Sequence, residues 1–238
     1  MKDIKVIAMD LDGTLTQHKT KLSDTTRDVL ERLSKKYKLL MVGAGTCRRI
    51  FEQLDHFPID IIGNYGMQYA EYNPETKDID IVYDEVLPCD KESIEARVTM
   101  AREKYGFTEF RGENVEFHPS GCVTFPILGT KALAEDKLAF DPDRKKRRAI
   151  YEDIKKIFSD YVVFIGGSSS FDMAPHPRDK AFALSKYCEE RGIPHSAIAY
   201  VGDDYGEGGN DESVYKADFN YIKIDNYLDF PEVVKHLL

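Results

Sequence analysis

The chain has 238 residues, 42% hydrophobic and 32% charged, which is typical of a globular protein with a substantial core in one large domain or two smaller ones. Its net charge of -9 disfavours general attraction to nucleic acid or to an anionic membrane surface. The four cysteines are scattered and indicate neither a zinc cluster nor a disulfide framework, and we find neither a signal peptide nor an apolar stretch of membrane-spanning length, so we expect a soluble, cytoplasmic protein.

The chain opens with a short apolar strand that ends in two carboxylates. The run that starts at Val6 is too short for a helix and leads into Asp10, Leu11, Asp12 and Gly13, which is typical of a buried strand that carries charge to the carboxyl end of a sheet. Both aspartates point the same way if the extended backbone continues through Leu11. The alternative is an ordinary strand that runs into an Asp-Gly turn.

Strands and helices alternate in both flanking parts of the chain, which predicts a parallel sheet with helical crossovers. The first part predicts a helix at 24–36 capped by Ser23, a strand at 38–43, a helix after Thr46, a strand at 59–63 and an edge hairpin at 67–72 and 79–84. The last part predicts a helix at 179–190 closed by Gly192, a strand at 197–202, a short helix capped by Asn210 or Asp211, a strand at 219–224 and a helix at 231–237. The predicted fold class is α/β, with a Rossmann-like, doubly wound parallel sheet formed by residues 1–86 and 176–238.

Residues 87–175 show a different pattern, which predicts an inserted α+β domain. The predicted order is a helix near 90–105, two short strands within 107–127, a charged helix opened by Asp141-Pro142 and reaching about 158, and strands at 161–165 and 169–174. Pro175 and Pro177 mark a hinge. We assign the basic run 144–148 to a solvated helix face rather than to a nucleic-acid site, because the chain is acidic and no stacking aromatics accompany the run.

Acidic residues follow two distant strands of the predicted sheet. Asp10 and Asp12 follow the first, whereas Asp203, and Asp211 further along a glycine-containing loop, follow the strand at 197–202. Sheets of this kind bind ligands at that edge, where two carboxylates about 5 Å apart would repel by roughly 3 kcal/mol at an effective dielectric of 20. Oxygen-only ligands favour Mg²⁺, and an aspartate beside Mg²⁺ can serve as a nucleophile through an aspartyl-phosphate. The pattern therefore predicts phosphoryl transfer.

The same residues resemble the four motifs of the haloacid dehalogenase superfamily of phosphotransferases. The similar residues are, in order, Asp10-Leu11-Asp12-Gly13-Thr14-Leu15, Thr46, Lys180, and Gly202-Asp203 with Gly209-Asn210-Asp211. Residues 87–175 resemble the α/β cap that some members insert after the edge hairpin. Within the superfamily, most of the chain resembles the eukaryotic-type phosphomannomutases, including the segment 166–175 and the loop 203–211.

The resemblance implies a role for each motif residue. Asp10 would be the nucleophile and Asp12 the general acid and base, and the metal ligands would be Asp10, the backbone carbonyl of Asp12, Asp203 and, directly or through water, Asp211. The phosphoryl group would be bound by Thr46, Lys180 and Asn210. Thr46 also suits a plain helix N-cap, and Lys180 also suits a solvated lysine in the first turn of a helix.

Substrate binding is implied for residues of the inserted domain. Ser170 and Asp172 would reach sugar hydroxyls, although strand alternation would place them together on any exposed sheet face. Arg111 and His118 are further substrate-binding candidates, and His118 also suits an ordinary surface histidine because the sequence shows no acid nearby to orient it. The family binds a second phosphate with three arginines, whose positions align here with His118, Thr130 and Lys137.

Losing these arginines favours hydrolysis, because a mutase must hold a second phosphate and arginine suits that task best. We therefore expect an Mg²⁺-dependent phosphatase that hydrolyses a small sugar or polyol phosphate through an aspartyl-phosphate. The alternative is a phosphomannomutase-type hexose-phosphate mutase, with Arg111 and Lys131 close enough to compensate for the lost arginines. A catalytically silent sugar-phosphate-binding protein is a third interpretation, disfavoured by the intact motif residues.

Overall fold

The computed structural model describes residues 3–18 and 20–238. The strands are β1 Val6–Met9, β2 Lys38–Val42, β3 Asp60–Gly63, β4 Gln68–Asn73, β5 Asp78–Asp84, β6 Glu116–Phe117, β7 Val123–Pro126, β8 Tyr161–Phe164, β9 Ser170–Pro175, β10 Ile198–Gly202 and β11 Asn220–Lys223. The helices are α1 Asp24–Ser34, α2 Cys47–Gln53, α3 Lys91–Tyr105, α4 Ala134–Phe140, α5 Lys145–Arg148, α6 Tyr151–Ile157, α7 Lys180–Arg191, α8 Glu212–Lys216 and α9 Phe230–Val233. Among the described residues, no helix is long and apolar enough to span a membrane.

The described contacts divide the chain into two compact units. The first unit contains the residues up to Glu85 together with Asp179–Gly206 and Asp211–Leu238. The second unit contains Val86–Arg178 together with Glu207–Asn210. The short segment 207–210 thus belongs to a different unit from the residues on either side of it.

The first unit is built on a seven-stranded sheet in the order β11-β10-β1-β2-β3-β4-β5. The strands from β11 to β3 are parallel, and β4 and β5 form the antiparallel edge hairpin that the sequence predicted. Alternate residues of β1 enter two apolar clusters, since Ile7 packs with Leu30 of α1 and Ala8 packs with Leu184 of α7. Helices therefore cover both faces, which confirms the doubly wound α/β fold.

Strand β1 lies between β10 and β2, and Met9 is paired with Val201 in register. The residues that follow these two strands therefore emerge side by side at the carboxyl edge of the sheet. This position brings the first and fourth sequence motifs together.

The second unit contains a four-stranded antiparallel sheet in the order β6-β7-β9-β8. One face of this sheet packs against α3 and α6 in an apolar core that includes Phe125 and Phe171. Thr124 and Asp172 alternate with these phenylalanines and are paired directly across β7 and β9. They consequently share the opposite face of the sheet.

Two predicted helices differ from the observed ones. The charged helix from 142 to about 158 is instead two helices, α5 and α6, separated at Ile150, whose backbone is non-helical (φ -115°, ψ 1°). The first begins later than predicted, where the carboxylate of Asp141 accepts hydrogen bonds from the backbone N–H groups of Lys146 (2.9 Å) and Arg147 (3.0 Å). Helix α4 precedes this region and was not predicted. The predicted C-terminal helix is a single turn, α9, followed by a 3-10 turn at Lys235–Leu237.

The assignment of the basic run to a solvated face is wrong for one of its members. Arg147 is 1% exposed and pairs with Asp141, whereas Lys145, Lys146 and Arg148 are exposed. A run of basic residues usually lies on an exposed helix face. The sequence pattern does not show that Asp141, in the irregular turn before the helix, pairs with Arg147.

Candidate active site

A buried lysine and a buried carboxylate meet at the end of β1. The backbone N–H of Asp10 donates to the carbonyl of Val201 (3.0 Å), which continues the pairing of β1 with β10. Lys180 lies in the first turn of α7, after the N-cap residue Asp179, and its side chain is fully buried. Its Nζ donates to Asp10 Oδ1 (2.6 Å) and to Asp211 Oδ1 (2.7 Å). The alternative of a solvated lysine is thereby excluded.

The electrostatics of this pair follow from burial and from the neighbouring acids. Burial raises the pKa of Asp10 well above its usual range, the Lys180 ammonium opposes that rise, and repulsion by Asp211 and Asp203 adds to it. Burial also acts to lower the pKa of Lys180, but attraction to Asp10 and Asp211 outweighs burial and raises it. Lys180 is therefore a permanent positive charge between two acids.

Asp203 follows β10 and packs against the turn that follows β1. Thr14 Oγ1 donates to Asp203 Oδ1 (2.9 Å). Gly13 has φ +97°, and a Cβ there would lie 2.4 Å from Asp203 Oδ2, so both the backbone conformation and the close approach require glycine. Burial, together with repulsion from Asp211, raises the pKa of Asp203 to about 6.

Asp211 is held by donors on both of its oxygens. Oδ1 accepts from Lys180 and from the Tyr200 hydroxyl (2.5 Å), and Oδ2 accepts from the backbone N–H of Asp204 (3.1 Å). Asp211 occupies the N-cap position of α8, as predicted, but its side chain makes no capping hydrogen bond. Its carboxylate instead fixes the position of Lys180.

Three carboxylates at this edge form a group that can hold a cation. Asp10, Asp203 and Asp211 each offer an oxygen, and these oxygens all lie within 4.8 Å of one another. The donors are all carboxylate oxygens, which suits a hard divalent cation. Burial raises the pKa of Asp203 and repulsion from Asp211 adds to that rise, and a bound cation would relieve the repulsion.

Asp12 has different partners from Asp10. Asp12 Oδ1 accepts a hydrogen bond from Gln53 Nε2 (2.7 Å), and Arg49 Nη1 lies 3.8 Å from its Oδ2. Both partners lie on α2. The helix that follows β2 therefore orients the second aspartate, while α7 holds the first.

The remaining two predicted phosphate-binding residues lie in less enclosed positions. Thr46 is exposed and is the N-cap of α2, where its hydroxyl accepts from the backbone N–H of Arg49 (3.3 Å). The helix-cap interpretation is therefore confirmed, and phosphate binding by Thr46 stays a prediction. Asn210 belongs to the loop segment 207–210, and its predicted role also stays open.

In the second unit, three of the four predicted substrate-binding residues share one hydrogen-bonded cluster. Asp172 Oδ1 accepts from Thr124 Oγ1 (2.9 Å) and from Ser170 Oγ (3.4 Å), and His118 Nε2 lies 3.1 Å from Thr124 Oγ1. The expectation that no acid orients His118 is wrong, because Asp172 does so through Thr124. Burial raises the pKa of Asp172, and the Thr124 hydroxyl and His118 oppose that rise.

Arg111 is not brought into this cluster. Its guanidinium is exposed, with Nη1 4.0 Å from Asp136 Oδ2, and its backbone pairs with Leu128 and Lys131. Lys137 Nζ donates to the carbonyl of Thr130 (3.2 Å), so two of the positions aligned with the family's arginines lie side by side.

Sequence reasoning missed four polar residues that support these groups, namely Gln53, Thr124, Arg147 and Tyr200. For two of them a signal exists. Tyr200 is a hydroxyl-bearing residue within an apolar central strand and needs a buried partner. Thr124 alternates with Val123 and Phe125 and so must face away from the core.

The fold is shared with solved structures of hydrolases of one superfamily. A haloacid dehalogenase-like hydrolase from Bacillus subtilis aligns over 99% of this chain and 100% of its own, with a TM-score of 0.64 and 16% identity. A phosphatase of the same superfamily from Bacteroides thetaiotaomicron aligns over 98% of this chain and 95% of its own, with a TM-score of 0.62 and 17% identity. The chain has the haloacid dehalogenase fold.

Sequence comparison identifies one family within this class of enzymes. A family model described as eukaryotic phosphomannomutase matches residues 96–225, more than half of the chain. The Saccharomyces cerevisiae phosphomannomutase is 27% identical over 221 residues, which cover 88% of this chain and 84% of that protein. A probable phosphomannomutase of Caenorhabditis elegans is 26% identical over 226 residues, covering 88% of this chain and 85% of its own. The chain belongs to the eukaryotic phosphomannomutase family, and it is an enzyme of the haloacid dehalogenase type.

These relatives confirm the predicted resemblance. They also favour the mutase, which the sequence analysis gave as the alternative, over the phosphatase that it preferred.

Proposed function

We propose that the chain is an Mg²⁺-dependent hexose-phosphate mutase of the phosphomannomutase type that carries the phosphoryl group on Asp10. Family membership supports the reaction. The observation that carries the chemistry is the buried Lys180, which bridges Asp10 and Asp211 beside Asp203. Such an arrangement places one fixed positive charge next to the nucleophile, where the charge of a transferring phosphoryl group would develop.

The two aspartates of the first motif divide the work of transfer. Asp10 attacks phosphorus, forming an acyl phosphate as the bond from phosphorus to the sugar oxygen breaks, and Asp12 donates a proton to that leaving oxygen. A sugar hydroxyl then attacks the acyl phosphate and returns its proton to Asp12. Gln53 orients Asp12 for both steps through its 2.7 Å hydrogen bond.

The same site would hold the metal through Asp10, Asp203 and the backbone carbonyl of Asp12, with Asp211 a ligand either directly or through water. Bound Mg²⁺ supplies positive charge that offsets the repulsion between Asp10 and an incoming phosphate. Lys180 adds a second positive charge, and Thr46 and Asn210 would bind phosphoryl oxygens.

We assign the first unit to catalysis and the second, a cap that corresponds to the predicted domain 87–175, to substrate selection. In the second unit, Ser170, Asp172 and His118 would bind sugar hydroxyls, because a carboxylate, a hydroxyl and an imidazole can accept and donate hydrogen bonds to a polyol. The substrate is accordingly a small phosphorylated sugar, and Arg111, Lys131 and Lys137 supply the positive charge for its second phosphate.

Hydrolysis is the second candidate, and one feature favours it. The three arginine positions of the family hold His118, Thr130 and Lys137, so only Lys137 carries a permanent charge there. In addition, Glu116 is paired in register with Thr124, which places another acid in the row that contains Asp172. A dianion is bound less well beside two carboxylates than beside arginines, and a monophosphate processed by water would not need that site.

One experiment separates the two reactions. Purified protein is incubated with Mg²⁺ and a panel of hexose 1- and 6-phosphates, with and without a hexose 1,6-bisphosphate, and both isomerised product and free phosphate are measured. We expect isomerisation to exceed phosphate release when the bisphosphate is present. Phosphate release that exceeds isomerisation under all conditions would replace the mutase by the phosphatase, and neither product across the panel would overturn both.

A pair of lysine variants tests the second phosphate site. Lys137→Ala should raise the bisphosphate concentration needed for half-maximal activation, whereas Lys155→Ala, at an exposed lysine paired with Glu152 (2.9 Å), should leave it unchanged. An equal response of both variants would remove Lys137 from the proposed site.

A further inference from the structure

The second unit contains a buried ion pair that lies beneath its predicted sugar-binding residues. Arg147 and Asp141 are each 1% exposed, and Arg147 Nε donates to Asp141 Oδ2 (2.9 Å). Burial lowers the pKa of Arg147 while the Asp141 carboxylate opposes that change, and arginine remains charged in this setting. Burying two charges costs free energy unless their remaining donors and acceptors are hydrogen-bonded, so the other nitrogens of Arg147 need partners.

Nη2 donates to the backbone carbonyl of Asp141 (3.4 Å), and the partners of Nη1 are carbonyls of the segment Gly166–Ser170. Arg147 Nη1 lies 2.6 Å from the carbonyl oxygen of Gly166, 3.1 Å from that of Ser170 and 3.2 Å from that of Gly167. One guanidinium nitrogen is thus within hydrogen-bonding distance of three carbonyl oxygens of a five-residue turn. The fixed, planar fork of arginine suits this arrangement, whereas a lysine ammonium has a different shape and reach.

The segment that Arg147 holds also fixes the positions of two predicted sugar-binding side chains, Ser170 and Asp172. Ser170 Oγ donates to the carbonyl of Gly166 (3.0 Å), the same oxygen that accepts from Arg147. Gly166 also lies directly against Asp172, since a Cβ at Gly166 would be 1.9 Å from Asp172 Oδ2. A displacement of Gly166 therefore moves the carbonyl that accepts from Ser170 and the backbone against which the Asp172 carboxylate packs.

We infer that Arg147 is a positioning residue for sugar recognition: by clamping the carbonyls of Gly166, Gly167 and Ser170 it holds Ser170 and Asp172 in the geometry that binds sugar hydroxyls. The inference rests on the proposed function, because it concerns the residues proposed there to select the sugar. Arg147 contacts no reacting atom in this scheme and acts only through the turn.

The kinetic test compares two substrates. A hexose phosphate uses the sugar-binding residues, whereas p-nitrophenyl phosphate offers the same phosphoryl group without a sugar. Arg147→Lys should raise KM for the hexose phosphate by about tenfold, the effect of losing one charge-assisted hydrogen bond, and change kcat much less. Its kcat/KM for p-nitrophenyl phosphate should stay within about twofold of that of the unaltered protein, a free-energy difference of about 0.4 kcal/mol.

Controls separate positioning from general loss of structure. Arg148→Lys makes the same chemical change at the adjacent exposed arginine and should leave both substrates unaffected. Asp141→Asn leaves Arg147 in place but removes its charged partner, and it should reproduce the KM effect in weaker form if Arg147→Lys fails to fold. In a double-mutant cycle with Ser170→Ala, the two losses should be markedly less than additive.

A substrate-free measurement completes the test. Hydrogen exchange of the backbone amides in the segment 166–170 should accelerate in Arg147→Lys and stay unchanged in Arg148→Lys. Unchanged exchange there, equal losses on both substrates, or additive losses with Ser170→Ala would each overturn the inference. Accelerated exchange in a protein that processes no hexose phosphate would instead leave the clamp intact and overturn the proposed function.

Discussion

Replacing Asp203 by asparagine should stabilise the metal-free protein and at the same time abolish its stabilisation by Mg²⁺. Asp203 lies among acids whose oxygens are within 4.8 Å of one another, and it is held by Thr14 and packed on Gly13. Without a cation, the ionised form of Asp203 therefore destabilises the folded protein. Asparagine keeps the shape and removes the charge.

The magnitude follows from the pKa of Asp203, which burial raises from 3.8 to about 6. A group whose pKa is higher in the folded state than in the unfolded state contributes stability that is present below pH 3.8 and is lost as the pH rises through about 6. The difference of about two units corresponds to roughly 3 kcal/mol as an upper limit, at 1.36 kcal/mol per unit.

Thermal unfolding in EDTA and in Mg²⁺, near pH 5 and near pH 7.5, measures this effect. Near pH 7.5 in EDTA, Asp203→Asn should melt above the unaltered protein by at most about 6 to 12 °C, since 1 kcal/mol shifts Tm by about 2 to 4 °C for a chain of this size. Mg²⁺ should raise the Tm of the unaltered protein and leave that of Asp203→Asn unchanged. Asp28→Asn, the same change at an exposed position of α1, serves as the control. An Asp203→Asn variant that melts lower in EDTA, or that Mg²⁺ still stabilises, would refute the reasoning.

Three further substitutions test other parts of the structure. Tyr200→Phe removes the hydroxyl that donates to Asp211 and should lower the free energy of unfolding by about 2 kcal/mol in urea denaturation, and a change below about 0.5 kcal/mol would contradict the buried charge-assisted bond. Gly13→Ala forces a Cβ to within 2.4 Å of Asp203 Oδ2 and should weaken Mg²⁺ binding in calorimetry by tenfold or more, so retained affinity would mean that the turn adjusts freely. Thr124→Val removes the donor that opposes the raised pKa of Asp172, so the acidic limb of kcat/KM for a hexose phosphate should move to higher pH; an unmoved profile would separate Thr124 from substrate binding.

The parallel sheet and its active edge follow from local sequence pattern. The strand before Asp10 is apolar and short, and the strand before Asp203 has the same form, so both were recognisable as buried strands that end in acid. Because parallel strands place their carboxyl ends at one edge, the meeting of Asp10 with Asp203 did not require knowledge of the tertiary structure. Lys180 was recognisable only through the motif pattern, since a lysine in the first turn of a helix is usually solvated.

Interactions that depend on irregular backbone were beyond sequence pattern. Asp141 starts a helical turn several residues later and at the same time neutralises Arg147, and neither contact follows from helical or strand periodicity. His118 contacts Thr124, and Thr124 donates a hydrogen bond to Asp172 on the neighbouring strand. The sequence did not specify which strands pair, so it could not reveal this connection. In the proposed function, the choice between water and a sugar hydroxyl as acceptor rests on residues of the second unit. The family comparison favours the mutase, whereas the residues at 118, 130 and 137 favour hydrolysis.

The most direct test of the proposed chemistry is to find the phosphoryl group on Asp10. The protein would be mixed with Mg²⁺ and a ³²P-labelled hexose phosphate, quenched in acid within one turnover, digested and sequenced by mass spectrometry. We expect a hydroxylamine-labile phosphoryl group on Asp10 that is absent from Asp10→Asn, as an acyl phosphate requires. Turnover of the substrate with no label on Asp10, or with label on another residue, would contradict the assignment of Asp10 as nucleophile.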